Sequence, residues 1–388
     1  MKIALVIPSL ELGGAERTMS VLANAWAERG EEVTVLIFKH AEGPAYRLHD
    51  QVRLCSLDVS NVRSRHLLQA LFRNFQRIRK LRHAIKKSYP DVVISFMDFP
   101  NVVALLATRG LRVPVVITEH GNPDYVDIGP VWDRLRRLTY PLADMLVCPT
   151  AQIVALFQTQ IKVKGCGIPN PVELPAAVVQ SSPSPRENTS HVVVAMGRLV
   201  PQKGFDLLLE AFSRIAGRHP DWSVTIIGTG PLRDQLESQA KSLGLMHRVT
   251  LTGSLTDPFA VLRAADLFVF SSRFEGFGNA LTEAMGCGLP VISFDCAAGP
   301  SDIIRHEIDG ILVPPEDVAA LAAAMDRLMN NPQERARLAS RAPEVLTRFS
   351  LERILGLWQE LFHRIGARYK AAGRNASLER EQEATSRQ

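Results

Sequence analysis

The sequence predicts an α/β protein made of two doubly wound domains, each built on a parallel sheet, and three observations carry that prediction. At 388 residues the chain exceeds what one ordinary core organises, domains commonly running to about 100–200 residues. Short runs rich in Val, Ile and Leu alternate with helical patterns, and near-continuous apolar runs suit strands buried on both faces, with helices as crossovers. The alternation stops in IPNPVELPAAVVQSSPSPRENTSH, between Ile168 and His191, where Pro, Ser and charge give linker composition, and then it restarts.

In the first half the strand candidates are IALVIPSL, VTVLIFKH, VVISFMD, VPVVITEH and MLVCPT. The opening MKIALVIPSL reads as a strand and not a signal peptide, because its apolar core is short and no small-residue cleavage site follows. In the second half they are VVVAMGRLV, VTIIGTG, VTLTGSL, LFVFSS, PVISF and GILVP. The boundaries that follow are a first domain over 1–168, a linker over 169–190 and a second domain over 191–350. A closing helix over 351–373 is expected to pack back toward the first domain, and the tail 374–388, which lacks apolar anchors, to be disordered. Two such domains are expected to face a central cleft, with ligands at the carboxyl ends of the strands.

Composition bounds the function. A hydrophobic share of 46% against 22% charged residues belongs to a folded soluble chain, and 6% aromatic residues argue against an all-β binding module. No run of eighteen apolar residues occurs, so a cytosolic chain with at most peripheral membrane contact is expected. Cys55, Cys148, Cys166, Cys287 and Cys296 are scattered without CxxC spacing, which fits small buried side chains in a reducing compartment and argues against zinc or a disulfide framework. The net charge of +5 is local: residues 63–87 carry nine Lys or Arg and no acid, leaving the remainder at −4.

Several strand ends are followed by small residues or cations. LELGGAER supplies Gly13 and Gly14, MGRLVPQKG supplies Arg198 and Lys203, and GTGP supplies Gly228 and Gly230. Where a strand feeds a helix, backbone N–H groups and the helix dipole can face an anion, so these turns together read as a diphosphate site. Each glycine pair alone reads equally well as a tight turn. None forms GxGxxG or GxxxxGK[ST], which excludes the dinucleotide and P-loop signatures.

The stretch SSRFEGFGNALTEAMGCGLPVISF holds two glutamates eight positions apart. Glu275 lies in a turn with Gly276 and Gly278, and a helix beginning near Asn279 and ending near Gly286 carries Glu283 about one turn inside. A carboxylate accepts two hydrogen bonds from a sugar diol, and bonds to a charged acceptor are strong. The pair therefore suits one elongated ligand carrying two sugars, while a glycosidase pair, a metal site or two acids favoured by a helix start are the other readings.

Taken together, LELGGAER, TEHG, IPNPV, GRLVPQKG, GTGP, SRFEGFGNALTEAMGCGLPVI and EIDGILVPP resemble the retaining glycosyltransferases of family four, which have the GT-B fold of two Rossmann-like domains. The resemblance implies roles at matching positions. Glu283 would bind the ribose of a nucleoside diphosphate sugar, and Glu275 with the backbone of Gly276, Phe277, Gly278 and Asn279 would hold the transferred sugar. Arg198 and Lys203 would neutralise the diphosphate, approached also by Gly13 and Gly14, while Gly253, Ser254 and Leu255 would lie beside the base. His120, in ITEHG, would contact the donor sugar near the reacting carbon. Asp98 reads either as a group facing the acceptor or as a strand-end cap. No cofactor and no metal is implied, since the cations serve where magnesium acts elsewhere.

The segment SRHLLQALFRNFQRIRKLRHAIKKS places Leu67, Leu71, Phe75, Ile78, Leu81 and Ile85 on one helical stripe and leaves a cationic opposite face. This basic helix, 64–88, with Arg73, Arg77 and Lys80, is expected to meet an anionic membrane surface or a pyrophosphate-linked lipid carrier, or else to be a packing helix with a solvated face. No helix-turn-helix, zinc or RNP-like motif accompanies the charge, so nucleic acid is not expected. The first turn, the basic segment and TEHGN are similar to bacterial enzymes that extend lipid-linked oligosaccharides. A UDP-linked galactose-type or N-acetylhexosamine donor, a lipid-linked or polysaccharide acceptor and a place on the cytoplasmic face of the inner membrane follow as expectations. A lipopolysaccharide or exopolysaccharide enzyme using a GDP-sugar or another UDP-sugar, and a non-catalytic docking protein of the same fold, are the alternatives.

Overall fold

Strands without a polar face must be covered on both sides, and in a computed structural model of the chain every paired strand lies in one of two wholly parallel sheets. The structure describes residues 1–11, 13–39, 46–59, 67–175 and 190–367. They divide into two units, one running from Met1 to Pro169 and resuming at Glu352, the other spanning Asn170–Leu351.

The first unit holds seven strands: β1 (Lys2–Ile7), β2 (Glu32–Ile37), β3 (Arg53–Ser56), β4 (Val92–Phe96), β5 (Val115–Thr118), β6 (Met145–Cys148) and β7 (Gly165–Gly167). Their order is β3-β2-β1-β4-β5-β6-β7, so β1 is central, with Leu5 opposite Val35 on one side and Ile94 on the other. The edge strands β3 and β7 were not among the expected elements. Helices Gly14–Glu28, Leu67–Ser88, Asp98–Thr108, Pro130–Thr139 and Ala151–Gln160 lie between strands in the chain.

A helix over residues 351–367 completes this unit. Buried Trp358 meets buried Trp26 of helix Gly14–Glu28 edge-on, ring centroids 5.7 Å apart, and Phe362 packs on both indoles at 5.8 Å. Arg29 adds a 2.5 Å bond to Glu352.

The second unit holds β8 (His191–Met196), β9 (Trp222–Ile227), β10 (Val249–Gly253), β11 (Leu267–Phe270), β12 (Val291–Phe294) and β13 (Ile311–Val313), ordered β10-β9-β8-β11-β12-β13. The two-residue period of a strand sorts its side chains between two cores. Val193, Ala195, Leu267 and Val269 join Phe212 and Trp222 on one face, while Val194, Phe268 and Phe270 join Phe277, Leu281 and Met285 on the other.

The start of the expected linker corrects that expectation. Val172 is buried in the second core and its N–H donates to Phe349 O at 2.9 Å, while Asn170 Nδ2 donates to Asn279 Oδ1 at 2.9 Å. Apolar Val172 and the paired amides therefore tie 170–172 to the second unit instead of leaving them as free linker. Residues 176–189 of that linker, the tail 374–388 and the end of the closing helix beyond 367 lie outside the described residues. Among the described residues no helix is long and apolar enough to cross a membrane.

Truncating Trp358 to Ala removes a fully enclosed indole, a change that costs about 3–5 kcal/mol. Chemical denaturation followed by tryptophan fluorescence is expected to show that loss in the transition of the first unit, with the transition of the second unchanged.

Candidate active site

In the second unit the strand order reverses between β8 and β11: the chain leaves β8 toward β9 and β10, and leaves β11 toward β12 and β13. Ligands of open parallel sheets bind outside the carboxyl ends of the strands at such a reversal. The loop after β8 carries Arg198 and Lys203, and the loop after β11 carries Glu275. Here the two loops are clasped. Lys203 Nζ lies 2.5 Å from Glu275 Oε1 and 5.5 Å from the centre of the Phe270 ring, with both side chains largely enclosed. Ser271 donates to Lys203 O at 2.9 Å, Gln202 Nε2 to Phe274 O at 3.0 Å and Arg273 N to Gln202 O at 2.8 Å.

Arg273 braces the clasp. Its guanidinium reaches both oxygens of Asp206 at 2.9 and 2.6 Å, the carbonyl of Pro201 at 2.8 Å and Glu316 at 2.9 Å. Burial acts to raise the Asp206 carboxyl, but the Arg273 hydrogen bonds and charge outweigh it and hold its pKa below the usual value. Arg198, by contrast, is exposed, and among the described residues its guanidinium has no hydrogen-bond or ion-pair partner.

Two glycines are dictated by backbone contact. A side chain on Gly204, at φ +59°, would place its Cβ 2.0 Å from Ser271 O, and one on Gly228, at φ +148°, would place it 1.8 Å from Gly197 O. Gly228 N also donates to Gly253 O at 3.0 Å, which joins the loops after β9 and β10. Gly230 lies against the Leu199 backbone in the same seam. Beyond Gly253, Ser254 is exposed, whereas Leu255 packs on the core.

Glu283 and the turn before it sit as spaced in the sequence. The helix spans Asn279–Gly286, Gly278 caps it, and Glu283 is buried within it beside Cys287, whose thiol is pushed up to about 12 by burial and then by the Glu283 charge. Gly276 is buried, and the Phe277 ring turns into the core against Phe349, centroids 5.3 Å apart, so only its backbone belongs to the loop.

In the first unit the order reverses between β1 and β4. Gly13 and Gly14 follow β1 and open helix Gly14–Glu28, and the Gly13 carbonyl accepts from the Tyr46 hydroxyl at 3.1 Å. Asp98 follows β4 as the first residue of its helix, where its Oδ1 accepts from the adjacent Phe99 N at 2.6 Å; the cap position is Met97, and no side chain caps this helix. His120 follows β5. Its ring stacks on Phe96 with centroids 5.7 Å apart and planes 14° apart, Nε2 lies 3.3 Å from Thr118 Oγ1, and the enclosed Nδ1 has no partner among the described residues. Burial holds its pKa down at about 4, so the imidazole is neutral at physiological pH.

Comparison with known proteins gives this arrangement its family. The family model for glycosyl transferases group 1 matches residues 180–345, and that for a glycosyl transferase 4-like domain matches residues 13–165. A Campylobacter jejuni protein described as a GalNAc-alpha-(1->4)-GalNAc-alpha-(1->3)-diNAcBac-PP-undecaprenol alpha-1,4-N-acetyl-D-galactosaminyltransferase is 30% identical over 362 residues, covering 93% of this chain and 98% of its own. This chain belongs to the glycosyltransferases. The lipopolysaccharide core biosynthesis glycosyltransferase LpsD of Rhizobium meliloti is also 30% identical, over 367 residues, covering 91% of this chain and 95% of its own. Among solved structures, sucrose-phosphate synthase from Thermosynechococcus elongatus superposes with a TM-score of 0.79 at 20% identity, covering 94% of this chain and 99% of its own, a likeness of GT-B fold.

The basic helix of this glycosyltransferase spans Leu67–Ser88; residues 60–66, and the side chains of Leu67 and Leu71, lie outside the description. The expected apolar stripe holds only in part: Leu81 and Ile85 are buried and Ile78 half-buried, but Phe75 is 61% exposed, as is Phe72. Nor are the named cations all solvated. Arg77 is buried with its guanidinium 5.0 Å from the Phe99 ring centre, and Lys80 donates to Leu57 O and Asp58 O at 2.9 and 3.3 Å. Arg73 is half-buried on the same helix. Toward its carboxyl end the helix forms, with β2 and β3, a cavity of about 850 Å³ whose lining includes Arg53, Arg79, Arg82, Lys86 and Lys87 and, among the described residues, no carboxylate.

Asn170, Gln202, Asp206, Ser271 and Arg273 escaped the sequence reading. Arg273 and Asn170 stood inside quoted motifs, SRFEG and IPNPV, and an Arg immediately before the Glu275 turn was the available signal. Two outcomes follow. Gly228→Ala forces backbone apart and is expected to cost about 2–3 kcal/mol, seen as a fall of about 5–10 °C in the second unit's calorimetric midpoint. His120 takes its proton near pH 4 when folded but near the ordinary imidazole value of 6.5 when unfolded, so stability falls as pH drops through that window. Histidine-ring NMR is expected to show one signal, absent from His120→Gln, that stays flat down to pH 5 and inflects near 4.

Proposed function

We propose that this glycosyltransferase moves a hexose or N-acetylhexosamine from a nucleoside diphosphate sugar, UDP-linked and of galactose or N-acetylgalactosamine type, to a lipid-linked oligosaccharide, with retention at the anomeric carbon. The observation that carries this reading is the Lys203–Glu275 pair at the β8/β11 reversal, with exposed Arg198 on the same loop as Lys203. A carboxylate suited to sugar hydroxyls and two cations suited to phosphates thus share one sheet edge.

In this reading Lys203 and Arg198 bind the diphosphate, and Lys203 keeps two N–H donors beyond the one aimed at Glu275. Glu275 and the backbone from Gly276 to Asn279 hold the transferred sugar, and Glu283 takes the ribose hydroxyls. Gly228, Gly230 and the Gly253–Leu255 segment serve the nucleotide. In the first unit Gly13 and Gly14 are assigned to the diphosphate, neutral His120 to a hydroxyl of the donor sugar and Asp98 to the acceptor.

Reaction proceeds on one face of the sugar: the bond from the anomeric carbon to the diphosphate oxygen breaks, the acceptor oxygen bonds to the same carbon, and its proton passes to the departing phosphate. Negative charge grows on that phosphate as the bond breaks, so the cations stabilise the transition state more than bound donor. Neither a metal nor a covalent enzyme intermediate is needed for this sequence. The basic cavity and the exposed Phe72 and Phe75 suit an anionic membrane surface carrying the lipid acceptor, which would place the enzyme on the cytoplasmic face of the membrane. A lipopolysaccharide acceptor is the second reading, favoured by the equal 30% identity to LpsD.

A screen of nucleotide sugars against a polyprenyl diphosphate oligosaccharide, with product linkage read by NMR, tests the proposal; no turnover with any donor would overturn it. Lys203→Ala is expected to lower kcat about 10²–10³-fold with a smaller change in KM. Glu283→Ala is expected to weaken nucleotide binding by calorimetry about tenfold or more, and unchanged affinity would remove the ribose assignment.

A further inference from the structure

Asn170 is the first residue of the second unit, it is buried, and it stands between two prolines, Pro169 and Pro171. A residue that precedes proline is driven out of the helical region into extended backbone, so the chain leaves Asn170 in one direction. From Asn170 to Leu174 it runs alongside the helix Asn279–Gly286, which carries Glu283. At the first residue of that helix Asn170 Nδ2 donates to Asn279 Oδ1 at 2.9 Å, and at the last a Cβ on Gly286 would meet Leu174 Cδ1 at 3.2 Å. The lengths agree. Seven helical steps of about 1.5 Å cover about 11 Å, and four steps of extended chain about 13 Å.

Between these ends Val172 lies in the core that holds Leu281 and Met285, and its N–H donates to Phe349 O at 2.9 Å. Burial and that backbone bond hold the middle of the segment without help from Asn170. Among the described residues the Asn170 amide hydrogen-bonds only with Asn279. What Asn170 adds is therefore felt at the start of the Glu283 helix and in the turn before it.

That turn hinges on Gly278, whose φ of +119° suits glycine alone. A residue so free of steric limits takes its conformation from its neighbours. On one side Phe277 is anchored, its ring edge-on to Phe349 with centroids 5.3 Å apart. On the other side stands Asn279, and no side chain caps the helix at Gly278. The Leu281 and Thr282 amides close on Gly278 O at 3.0 and 3.1 Å, and the Thr282 hydroxyl donates to Asn279 O at 2.8 Å. Those bonds hold the backbone. Asn170 holds the Asn279 side chain, and by taking the amide oxygen it sets which way the amide donors face.

We propose that Asn170 is a positioning residue for the transferred sugar: bonded to Asn279, it fixes the second side of the Gly278 turn and with it the groups from Gly276 to Asn279 that hold the sugar. The inference rests on the glycosyl-transfer reading for what the turn holds, while the pinning of the turn stands without it. Asn170 acts through Asn279. The ribose is assigned to Glu283, one turn further along a helix that Leu281 and Met285 root in the core, so the effect is confined to the sugar.

Hydrogen exchange on the full chain, without substrate, tests the pinning. In Asn170→Ala the Leu281 and Thr282 amides are expected to exchange about tenfold faster, while the amides of β8 and β11 keep their protection. Unchanged exchange at Leu281 and Thr282 overturns the proposal, as does an equal rise throughout the second unit, the mark of a general loss of stability. Calorimetry then compares UDP with whichever of UDP-galactose and UDP-N-acetylgalactosamine the wild type binds more tightly. Asn170→Ala is expected to keep UDP affinity within about twofold and to weaken the nucleotide sugar about tenfold. Equal weakening of both ligands, or unchanged binding of both, is the contrary result.

Asn170→Ala and Asn279→Ala are expected to be non-additive in that sugar-dependent loss, the double variant losing no more than the larger single one within about twofold; independent losses overturn the proposal. Should Asn170→Ala not fold, Asn170→Leu, which keeps the volume and lacks the donor, decides by the same readings. Were the wild type to bind no nucleotide sugar, the functional reading would fail while hydrogen exchange still judged Asn170.

Discussion

Parallel strands cannot be joined by a tight turn, so each must be followed by a crossover, and every loop leaving a carboxyl end emerges on the same edge of its sheet. The candidate site of this glycosyltransferase depends on that constraint. In the second unit it brings Lys203 and Glu275, 72 positions apart, to within 2.5 Å at the place where crossovers leave in opposite directions. Two charges so enclosed lose water, and their attraction offsets that loss only if the geometry is fixed. The geometry is fixed by Arg273, whose bonds to Asp206, Pro201 and Glu316 hold both loops, and by Gly204 and Gly228, where backbone lies so near backbone that a side chain cannot intervene.

Sequence revealed what local pattern controls. The runs VVVAM, VTII, LFVF and PVISF suit doubly covered strands, and each lies in a strand of the second sheet. β3 and β7 went unseen because an edge strand is covered less completely: Arg53, Cys55 and Ser56 carry no apolar run, and β7 is the tripeptide Gly165–Gly167. The helix carrying Glu283 was legible to the residue, since glycines bracket it. The supports of the site were not. Asp206, Gln202 and Arg273 acquire meaning only from partners 67 to 72 positions away, and no period in the sequence links them.

The basic helix shows the opposite failure, where a clear pattern implied too much. Spacing assigned Phe75 to the apolar stripe and Arg77 to the solvated face, yet Phe75 is exposed and Arg77 is buried. An aromatic ring, Phe99, meets the Arg77 guanidinium on its face, and that contact favours enclosing the cation. Periodicity ranks faces by polarity and cannot register a neighbouring ring.

The two sheet edges differ in how they treat charge, and the difference has a chemical reading. The edge of the second unit keeps cations, Lys203 and Arg198, where phosphate charge would grow under the proposed function. The edge of the first keeps His120 neutral, because burial suppresses its proton. In transfer through a transition state with positive character at the anomeric carbon, an imidazolium beside that carbon would oppose the reaction, whereas a neutral imidazole still hydrogen-bonds a sugar hydroxyl. The same enclosure that leaves His120 Nδ1 without a partner among the described residues therefore serves the proposed chemistry, because a partner carboxylate would raise the imidazole's affinity for a proton.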